Sequence, residues 1–165
     1  MDRVVVADTS PLRYLVVIEQ IGLLPQLFGQ IAVPSVVFDE LRHPSAPPAA
    51  RDWINSAPKW LEVLPVTSLP DPAFDSLDQG ERDAHTLGLS LAAKLILIDE
   101  RKGAAVARQK GFAIMGTLGI PGLAARRDII DLADAFTSLK RTNFRRSEAL
   151  FDAMLNEHRR EKGVV

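Results

Sequence analysis

The stretch VVVADTSPL, residues 4–12, places an acid and then a helix-starting proline directly after a short run of apolar residues. The stretch LILIDERKG, residues 95–103, repeats the arrangement of an apolar run that ends in an acid. Continuous apolar runs of this length are typical of parallel strands that are covered on both faces. Their alternation with longer segments of helical period predicts βα units, and therefore an α/β fold with a parallel sheet.

Short apolar runs at five places predict the strands of this sheet. These runs are Val4–Ala7, Ile31–Val33, Leu61–Val66, Leu95–Ile98 and Phe112–Met115. The third run is more mixed in polarity, so we expect it at an edge. Ser10 and Ser35, each next to a proline, predict helix starts that a serine caps, and Gly111 predicts a helix end. After Thr117 the pattern is wholly helical, which predicts a C-terminal helical addition.

The composition is that of one soluble globular domain, with 47% apolar and 25% charged residues in a chain of 165. We expect one domain over residues 1–165, with a core at about 3–130 and C-terminal helices at about 131–160. The net charge of -1 excludes a global positive field, and the absence of Cys excludes disulfides, thiolate zinc sites and a cysteine nucleophile. No apolar stretch approaches the ~20 residues that span a bilayer, and no signal-peptide pattern is present. We therefore expect a cytoplasmic protein.

Two acids follow predicted strands directly. Asp8 ends the first run and Asp99 ends the fourth. Ligands of open α/β sheets bind outside the carboxyl ends of the strands, so both acids are expected at the binding edge. If the two strands are neighbours, the like charges require a cation between them or a proton on one of them. The alternative is that each acid only caps the helix that follows it.

Four further acids lie in or at the start of predicted helices. Glu40 follows the second strand in VVFDEL, where a solvent-exposed helical Glu is the simplest interpretation. Asp78 and Glu81 have the spacing of a capping box, which is a structural interpretation of Glu81. Asp83 is two residues beyond Glu81, so it points to a different side of the helix and is the weaker candidate.

Five motifs resemble those of the PIN-domain proteins, and in particular a branch that looks like the toxins of VapC-type toxin–antitoxin pairs. They are ADTSPL, VFDEL, LDQGERDAHTLGL, LILIDERKGAAVARQKG and MGTLG. The resemblance runs from Val4 to about Ile130, and NFRRSEALFDAML is similar to the closing helix of that branch. It implies a three-layer α/β/α PIN-like fold with a central parallel sheet of about five strands.

The resemblance also implies a function: a metal-dependent endoribonuclease that hydrolyses RNA with an acidic Mg²⁺ or Mn²⁺ site. By motif position, the catalytic and metal-binding residues are Asp8, Glu40, Glu81 and Asp99. Thr9 and Ser10 match the small hydroxyl residues beside the first acid. The implied partners are the RNA substrate and a small antitoxin protein, with a homodimer as a further expectation and no membrane.

The sequence departs from the family pattern at two places. His85 replaces an aliphatic residue and shares a helix face with Glu81, which raises the alternative of a metal-binding histidine. Pro121 and Gly122 stand where an uninterrupted apolar helix start is expected.

Basic and apolar residues near the proposed site suggest where ligands bind. Arg13, Arg82, Arg101 and Lys102 are candidates for holding flanking phosphates. An antitoxin docking groove is expected around four apolar residues, whose other interpretation is ordinary core. These are Tyr14, Leu15, Leu24 and Phe28.

Two other functions compete with the nuclease. One is a phosphoryl-transfer enzyme with Asp8 as nucleophile, which the presence of Ser10 two residues later disfavours, since the comparable phosphatases have a second Asp there. The other is a catalytically idle PIN-like module that binds a protein partner.

Overall fold

Five short parallel strands form one sheet in the computed structural model, which describes residues 3–163 apart from the side chains of residues 100–102. The strands are β1 (Val5–Ala7), β2 (Ile31–Pro34), β3 (Leu61–Leu64), β4 (Leu95–Leu97) and β5 (Ala113–Met115). Their order across the sheet is β3-β2-β1-β4-β5, and each neighbouring pair is parallel. The five predicted strands are confirmed, and the third lies at an edge as expected.

Both faces of the sheet are buried. Val6, opposite Ile96 in the register of β1 and β4, packs on one face with Ala84 and Leu87 of the helix that precedes β4. Val5 and Leu97 point to the other face and are also buried, at 2% and 0% exposure. Because successive strand residues alternate between faces, burial at every position of β1 and β2 explains why these two strands are continuous apolar runs.

Helices connect the strands and flank the sheet, which gives the expected three-layer α/β/α fold. The chain divides into two compact units, one that ends at Thr117 and one that begins at Leu118. The first unit holds the sheet, a 3₁₀ helix at Pro72–Phe74 and six helices: α1 (Thr9–Val17), α2 (Leu23–Phe28), α3 (Ser35–Arg42), α4 (Pro48–Asn55), α5 (Gln79–Ser90) and α6 (Glu100–Gln109). The second unit holds α7 (Gly119–Arg126), α8 (Leu132–Lys140) and α9 (Glu148–Glu161). None of the helices in the described part of the chain combines the length and apolarity needed to cross a bilayer. The organisation of residues 1–165 as one domain stays a prediction.

Two helices start differently from the prediction. α1 begins at Thr9 with Asp8 in the N-cap position, so Ser10 lies inside the helix and the predicted serine cap is wrong. α3 begins at Ser35 itself, with Pro34 in the N-cap position and no side-chain cap. In both places the strand passes into the helix without a loop, which leaves the capping position to the last extended residue.

Other local signals are confirmed. Gly111 lies two residues beyond the end of α6 with φ of 82°, in the left-handed region that favours glycine. α5 begins with a capping box, in which Asp78 and Glu81 each accept a hydrogen bond from the backbone N–H of the other. β3 ends at Leu64, earlier than predicted, because Pro65 has no N–H to donate to the sheet.

The second unit forms its own small helical core. Phe151 of α9 contacts Phe136 of α8 edge to face, with ring centroids 5.0 Å apart. Pro121 does not interrupt α7, because it is the third residue of the helix and its missing N–H has no partner there in any case. A Cβ atom on Gly122 would lie 3.7 Å from Cε of Met154, an ordinary van der Waals contact, so α7 packs on α9 here without requiring a glycine.

Candidate active site

Asp8 and Asp99 follow neighbouring strands. β1 pairs with β4 so that Ala7 is opposite Leu97, and the N–H of Asp8 continues the ladder with a 2.9 Å hydrogen bond to the carbonyl of Leu97. Asp8 is therefore level with Ile98, and Asp99 follows one residue further on. Both acids lie at the carboxyl edge of the sheet, as predicted for strands that lie side by side.

Helix capping does not explain either acid. Asp8 and Asp99 occupy the N-cap positions of α1 and α6, but neither side chain accepts a capping hydrogen bond. By contrast, Asp78 and Asp131 cap α5 and α8 in the ordinary way, with their carboxylates accepting from backbone N–H groups three residues on. The chain thus uses Asp as a cap elsewhere, and these two carboxylates point to other partners.

The carboxylates of Asp8 and Glu40 converge at Gly80, near the start of α5. A Cβ atom built on Gly80 would lie 3.1 Å from Oδ1 of Asp8 and 3.0 Å from Oε1 of Glu40. The hydroxyl of Thr9 donates to Oε2 of Glu40, which ties α1 to α3 beside the acids. Glycine at this position therefore leaves room for two carboxylates against the first turn of a helix.

Asp8 is held in an environment that opposes its ionisation. It is only 7% exposed, and burial is the main reason why its pKa rises from 3.8 to about 7. A hydrogen bond from the backbone of Thr9 lowers the pKa, whereas the charges of Asp78, Glu81 and Glu40 raise it further. A bound cation would relieve both the burial penalty and the repulsion, so the site has the electrostatics of a cation site.

Glu81 is buried beside this pair but is engaged in the capping box. Its Oε2 accepts a 3.3 Å hydrogen bond from the N–H of Asp78, and its own N–H donates to Oδ1 of Asp78 at 2.9 Å. The structural interpretation of these two residues is confirmed, although both charges also act on Asp8. Sequence reasoning used Asp78 only as a cap and missed its proximity to Asp8.

Asp99 binds the segment that follows β5. Its Oδ1 accepts from the N–H of Thr117 at 2.9 Å, and its Oδ2 accepts from the hydroxyl of Thr117 at 3.3 Å. A Cβ atom on Gly116 would lie 3.0 Å from the same Oδ1. Within residues 3–163, excluding the side chains of 100–102, no group of three or more Asp, Glu or His residues is arranged to hold a cation. Of the four predicted site residues, Asp8 and Glu40 are thus the two whose carboxylates converge at one point.

His85 is a core residue of the first unit. It has no exposure, and its Nδ1 donates to the carbonyl of Glu81 at 2.7 Å, since a carbonyl can only accept. Its ring lies between Phe74 and Phe112, with centroids at 5.1 and 6.1 Å. Burial lowers the pKa of His85, so the ring is neutral. Asp83 is half-buried and is not among the charges that raise the pKa of Asp8.

The basic candidates differ in their surroundings. The guanidinium of Arg13 lies 5.0 Å from the ring centroid of Tyr14, and Arg13 faces a pocket next to Glu40. Arg82 donates to the carbonyl of Leu77, which is a structural contact. The side chains of Arg101 and Lys102 lie outside the described residues.

The predicted docking groove is wrong for three of its four residues. Leu15 and Leu24 have no exposure and Tyr14 has 9%, so all three belong to the core and are not available to a partner. Phe28 is half-buried. Helical period alone does not distinguish a face that packs on the sheet from a face left open for a partner.

A parallel α/β/α fold with acids at the carboxyl edge of its sheet defines a class of protein in which ligands bind at that edge. The model of a family described as DUF3368, PIN domain, matches residues 4–160, and the chain therefore belongs to the PIN-domain family. PIN domains are generally nucleases, so the fold is of the nuclease type. No match was found among curated proteins or among solved structures.

Proposed function

We propose that this protein is a metal-dependent endoribonuclease that hydrolyses RNA phosphodiester bonds at the carboxyl edge of its sheet. The observation that carries the proposal is the convergence of Asp8 and Glu40 at Gly80, with Asp8 buried and its pKa raised to about 7. A buried carboxylate beside other acids is costly unless a cation is part of the working site. The PIN-domain membership supports nuclease chemistry there.

The residues present fit Mg²⁺ or Mn²⁺. All of the donors are carboxylate oxygens, which these hard cations prefer. Asp8 and Glu40 would hold the ion first. Glu81 and Asp99 complete the proposed set by motif position. Glu81 acts on the charge of Asp8 and accepts a hydrogen bond from the N–H of Asp78, whereas Asp99 accepts hydrogen bonds from Thr117. When bound, the ion supplies a Lewis acid and a water of lowered pKa for in-line attack on phosphorus.

The chain itself prepares this chemistry in two ways. Thr9 orients the Glu40 carboxylate through its hydroxyl, so that one carboxylate oxygen is directed by the protein and the other is left for a ligand. With a pKa of about 7, Asp8 is protonated in a large fraction of the metal-free molecules at neutral pH, and a cation that compensates its charge would release this proton. Cation binding should therefore be coupled to proton release near pH 7.

A catalytically idle binding module is the second candidate. Its support is the engagement of Asp99 by Thr117 and the lack of a preformed group of three acids or histidines in the described part of the chain. In that case Asp8 and Glu40 would contribute only to the packing of α1, α3 and α5, and the protein would bind a partner without cleaving RNA.

The biological role that we attach to the nuclease is the toxin of a toxin–antitoxin pair, as the resemblance to VapC-type toxins implies. The partners would be an RNA substrate and a small antitoxin protein, with a homodimer as a possible assembly and the cytoplasm as the compartment. Co-purification from the native host tests this role. A stable small partner whose release unmasks RNA cleavage would support it, and a protein that purifies alone and is active as isolated would contradict it.

Cleavage of labelled RNA tests the proposed chemistry. We expect the wild-type protein to cut a broad RNA pool with Mn²⁺ or Mg²⁺ and to stop when EDTA is added. Asp8→Asn and Glu40→Gln should each abolish the cleavage. Asp71 is paired with Lys110 and is not part of the candidate active site, so Asp71→Asn should leave the cleavage unchanged. Cleavage that persists in both acid variants would refute the assignment. A folded wild-type protein that never cleaves would favour the idle module.

A further inference from the structure

A pocket of about 480 Å³ opens directly beside the acid pair. Its lining includes Thr9, Arg13, Glu40, His43, Ser45 and Gln79, so it shares Thr9 and Glu40 with the candidate active site. The volume falls in the ~300–1,000 Å³ range of small-ligand sites, which is enough for one nucleotide. A ligand in this pocket would be continuous with a group held at Glu40.

Arg13 gives the pocket a cationic wall. It is half-buried, and its guanidinium is 5.0 Å from the ring centroid of Tyr14. Its Nε atom is buried and has no hydrogen-bond partner among the described residues. A buried guanidinium nitrogen without an acceptor is costly, and a phosphate oxygen is the acceptor that a guanidinium binds with the best geometry.

Another part of the lining is a short turn after α3, which includes His43, Ser45 and Ala46. The N–H of Ser45 donates to Nδ1 of His43 at 3.1 Å, so that nitrogen is the acceptor and the tautomer has its N–H at Nε2. The hydroxyl of Ser45 lies 2.6 Å from the same Nδ1. Arg51 donates to the carbonyl of Ala46 at 3.2 Å and fixes the turn on α4. His43 thus retains an Nε2–H donor for a ligand.

We propose that this pocket binds the nucleotide next to the scissile phosphate of a single-stranded RNA, with Arg13 donating to its phosphate and His43 donating a second hydrogen bond to the same nucleotide. The inference rests on the proposed function and names how the substrate is held. Single-stranded RNA fits because a pocket of this size admits one nucleotide but not a duplex.

The acids beside the pocket make this binding depend on the cation. Asp39 and Glu40 both line it, so their negative charge opposes a phosphate in the metal-free protein. A divalent ion at Asp8 and Glu40 would remove that repulsion. RNA should therefore bind more tightly with a divalent cation than with EDTA.

Fluorescence anisotropy with a labelled, short single-stranded RNA tests the pocket. Ca²⁺ serves as the cation, and a gel at the end of each titration verifies that the RNA is intact. We expect Arg13→Met to weaken binding about tenfold and to reduce the slope of log K against log salt by about 0.7, the value for one lost phosphate contact on a single strand. Arg13→Lys should keep the slope and recover part of the affinity, since it keeps the charge.

Two further variants keep the test decisive. Arg42→Met is the matched control, because Arg42 also lies 5.0 Å from an aromatic ring, that of Phe38, but does not line the pocket; it should bind RNA like the wild type. His43→Ala changes an exposed residue that the core does not need, and it should weaken binding by a smaller factor.

The outcomes separate this inference from the proposed function. Wild-type affinity and salt slope in both Arg13→Met and His43→Ala would overturn the pocket assignment, and so would a wild-type protein that binds no RNA. RNA binding that depends on Arg13 without cleavage in Mn²⁺ would support the pocket and refute the nuclease. Cleavage of an RNA whose binding does not change in Arg13→Met would support the nuclease and refute the pocket.

Discussion

Replacing Asp8 with asparagine should stabilise the metal-free protein at neutral pH while removing its activity. Asparagine has nearly the shape of a protonated aspartic acid but cannot ionise. Asp8 is 7% exposed, and burial together with the charges of Asp78, Glu81 and Glu40 makes its ionised form unfavourable in the folded state. The substitution therefore removes a cost that the wild-type protein bears whenever no cation is bound.

The size of this effect follows from the two pKa values of Asp8, 3.8 in the unfolded chain and about 7 in the folded one. Below the unfolded pKa the acid is protonated in both states and changes nothing. As pH rises from 3.8 to about 7, the unfolded state loses the proton first, so the free energy of unfolding falls. The total loss above pH 7 is about 4 kcal/mol at 1.36 kcal/mol per pH unit, or roughly 8–16 °C in Tm for a domain of this size.

Thermal unfolding of wild-type and Asp8→Asn protein in EDTA, over pH 4 to 8, measures this difference. The two Tm values should coincide at the acid end and diverge as pH rises, with the variant higher. Asp71→Asn is a control in which Tm should change in the opposite direction. The hydrogen bond from Lys110 lowers the pKa of Asp71, so its ionised form stabilises the fold as pH rises, and the substitution removes this stabilisation. An Asp8→Asn variant that is less stable than wild type at pH 8 would refute the reasoning and indicate a structural role for the carboxylate.

Three other substitutions probe the surroundings of the acids. Gly80→Ala should leave the Tm within a few degrees but weaken Mn²⁺ binding about tenfold in calorimetry. The reason is that the added Cβ would lie 3.0 Å from a carboxylate oxygen of Glu40 and 3.1 Å from one of Asp8. Unchanged Mn²⁺ affinity would mean that the two carboxylates need not converge there. Thr117→Val should cost about 1 kcal/mol in urea unfolding, since it leaves one oxygen of the Asp99 carboxylate without its hydroxyl partner; no loss would show that this contact is weak. His85→Leu should retain wild-type Mn²⁺ affinity because the ring is in the core with Nδ1 bound to the carbonyl of Glu81, and loss of Mn²⁺ binding in a folded variant would restore His85 as a ligand candidate.

The sheet was predictable because each strand has a strong local signal. Val5–Ala7 in the first run is buried on both faces, and this demands apolar residues at every position. A parallel α/β architecture puts Asp8 and Asp99 at the same edge, but the pairing of β1 with β4 stayed a condition at the level of sequence, because strand order depends on tertiary contacts. The helix starts were less predictable, because Ser10 is as good a cap as Asp8 by residue type, and the backbone alone decides which one is the last extended residue.

The residues that surround the acids of the candidate active site were harder to infer from the sequence than the acids themselves. Asp78 has an ordinary capping role, and its charge near Asp8 depends on how α5 lies against β1. Gly80 carried a signal that was overlooked, since glycine in the first turn of a helix is unfavourable unless something approaches it closely. Thr117 gave no signal, because its contact with Asp99 joins residues 18 positions apart.

Calorimetric titration of the wild-type protein, Asp8→Asn and Glu40→Gln with Mn²⁺ most directly tests whether these two carboxylates form a cation site. Repeating the titrations in buffers of different ionisation enthalpy at pH 6 to 7 counts the protons released. We expect one Mn²⁺ site in the wild type with release of up to one proton per ion, no proton release in Asp8→Asn, and strongly reduced affinity in both variants. Wild-type affinity in Glu40→Gln, or wild-type binding without proton release, would contradict a site built on Asp8 and Glu40.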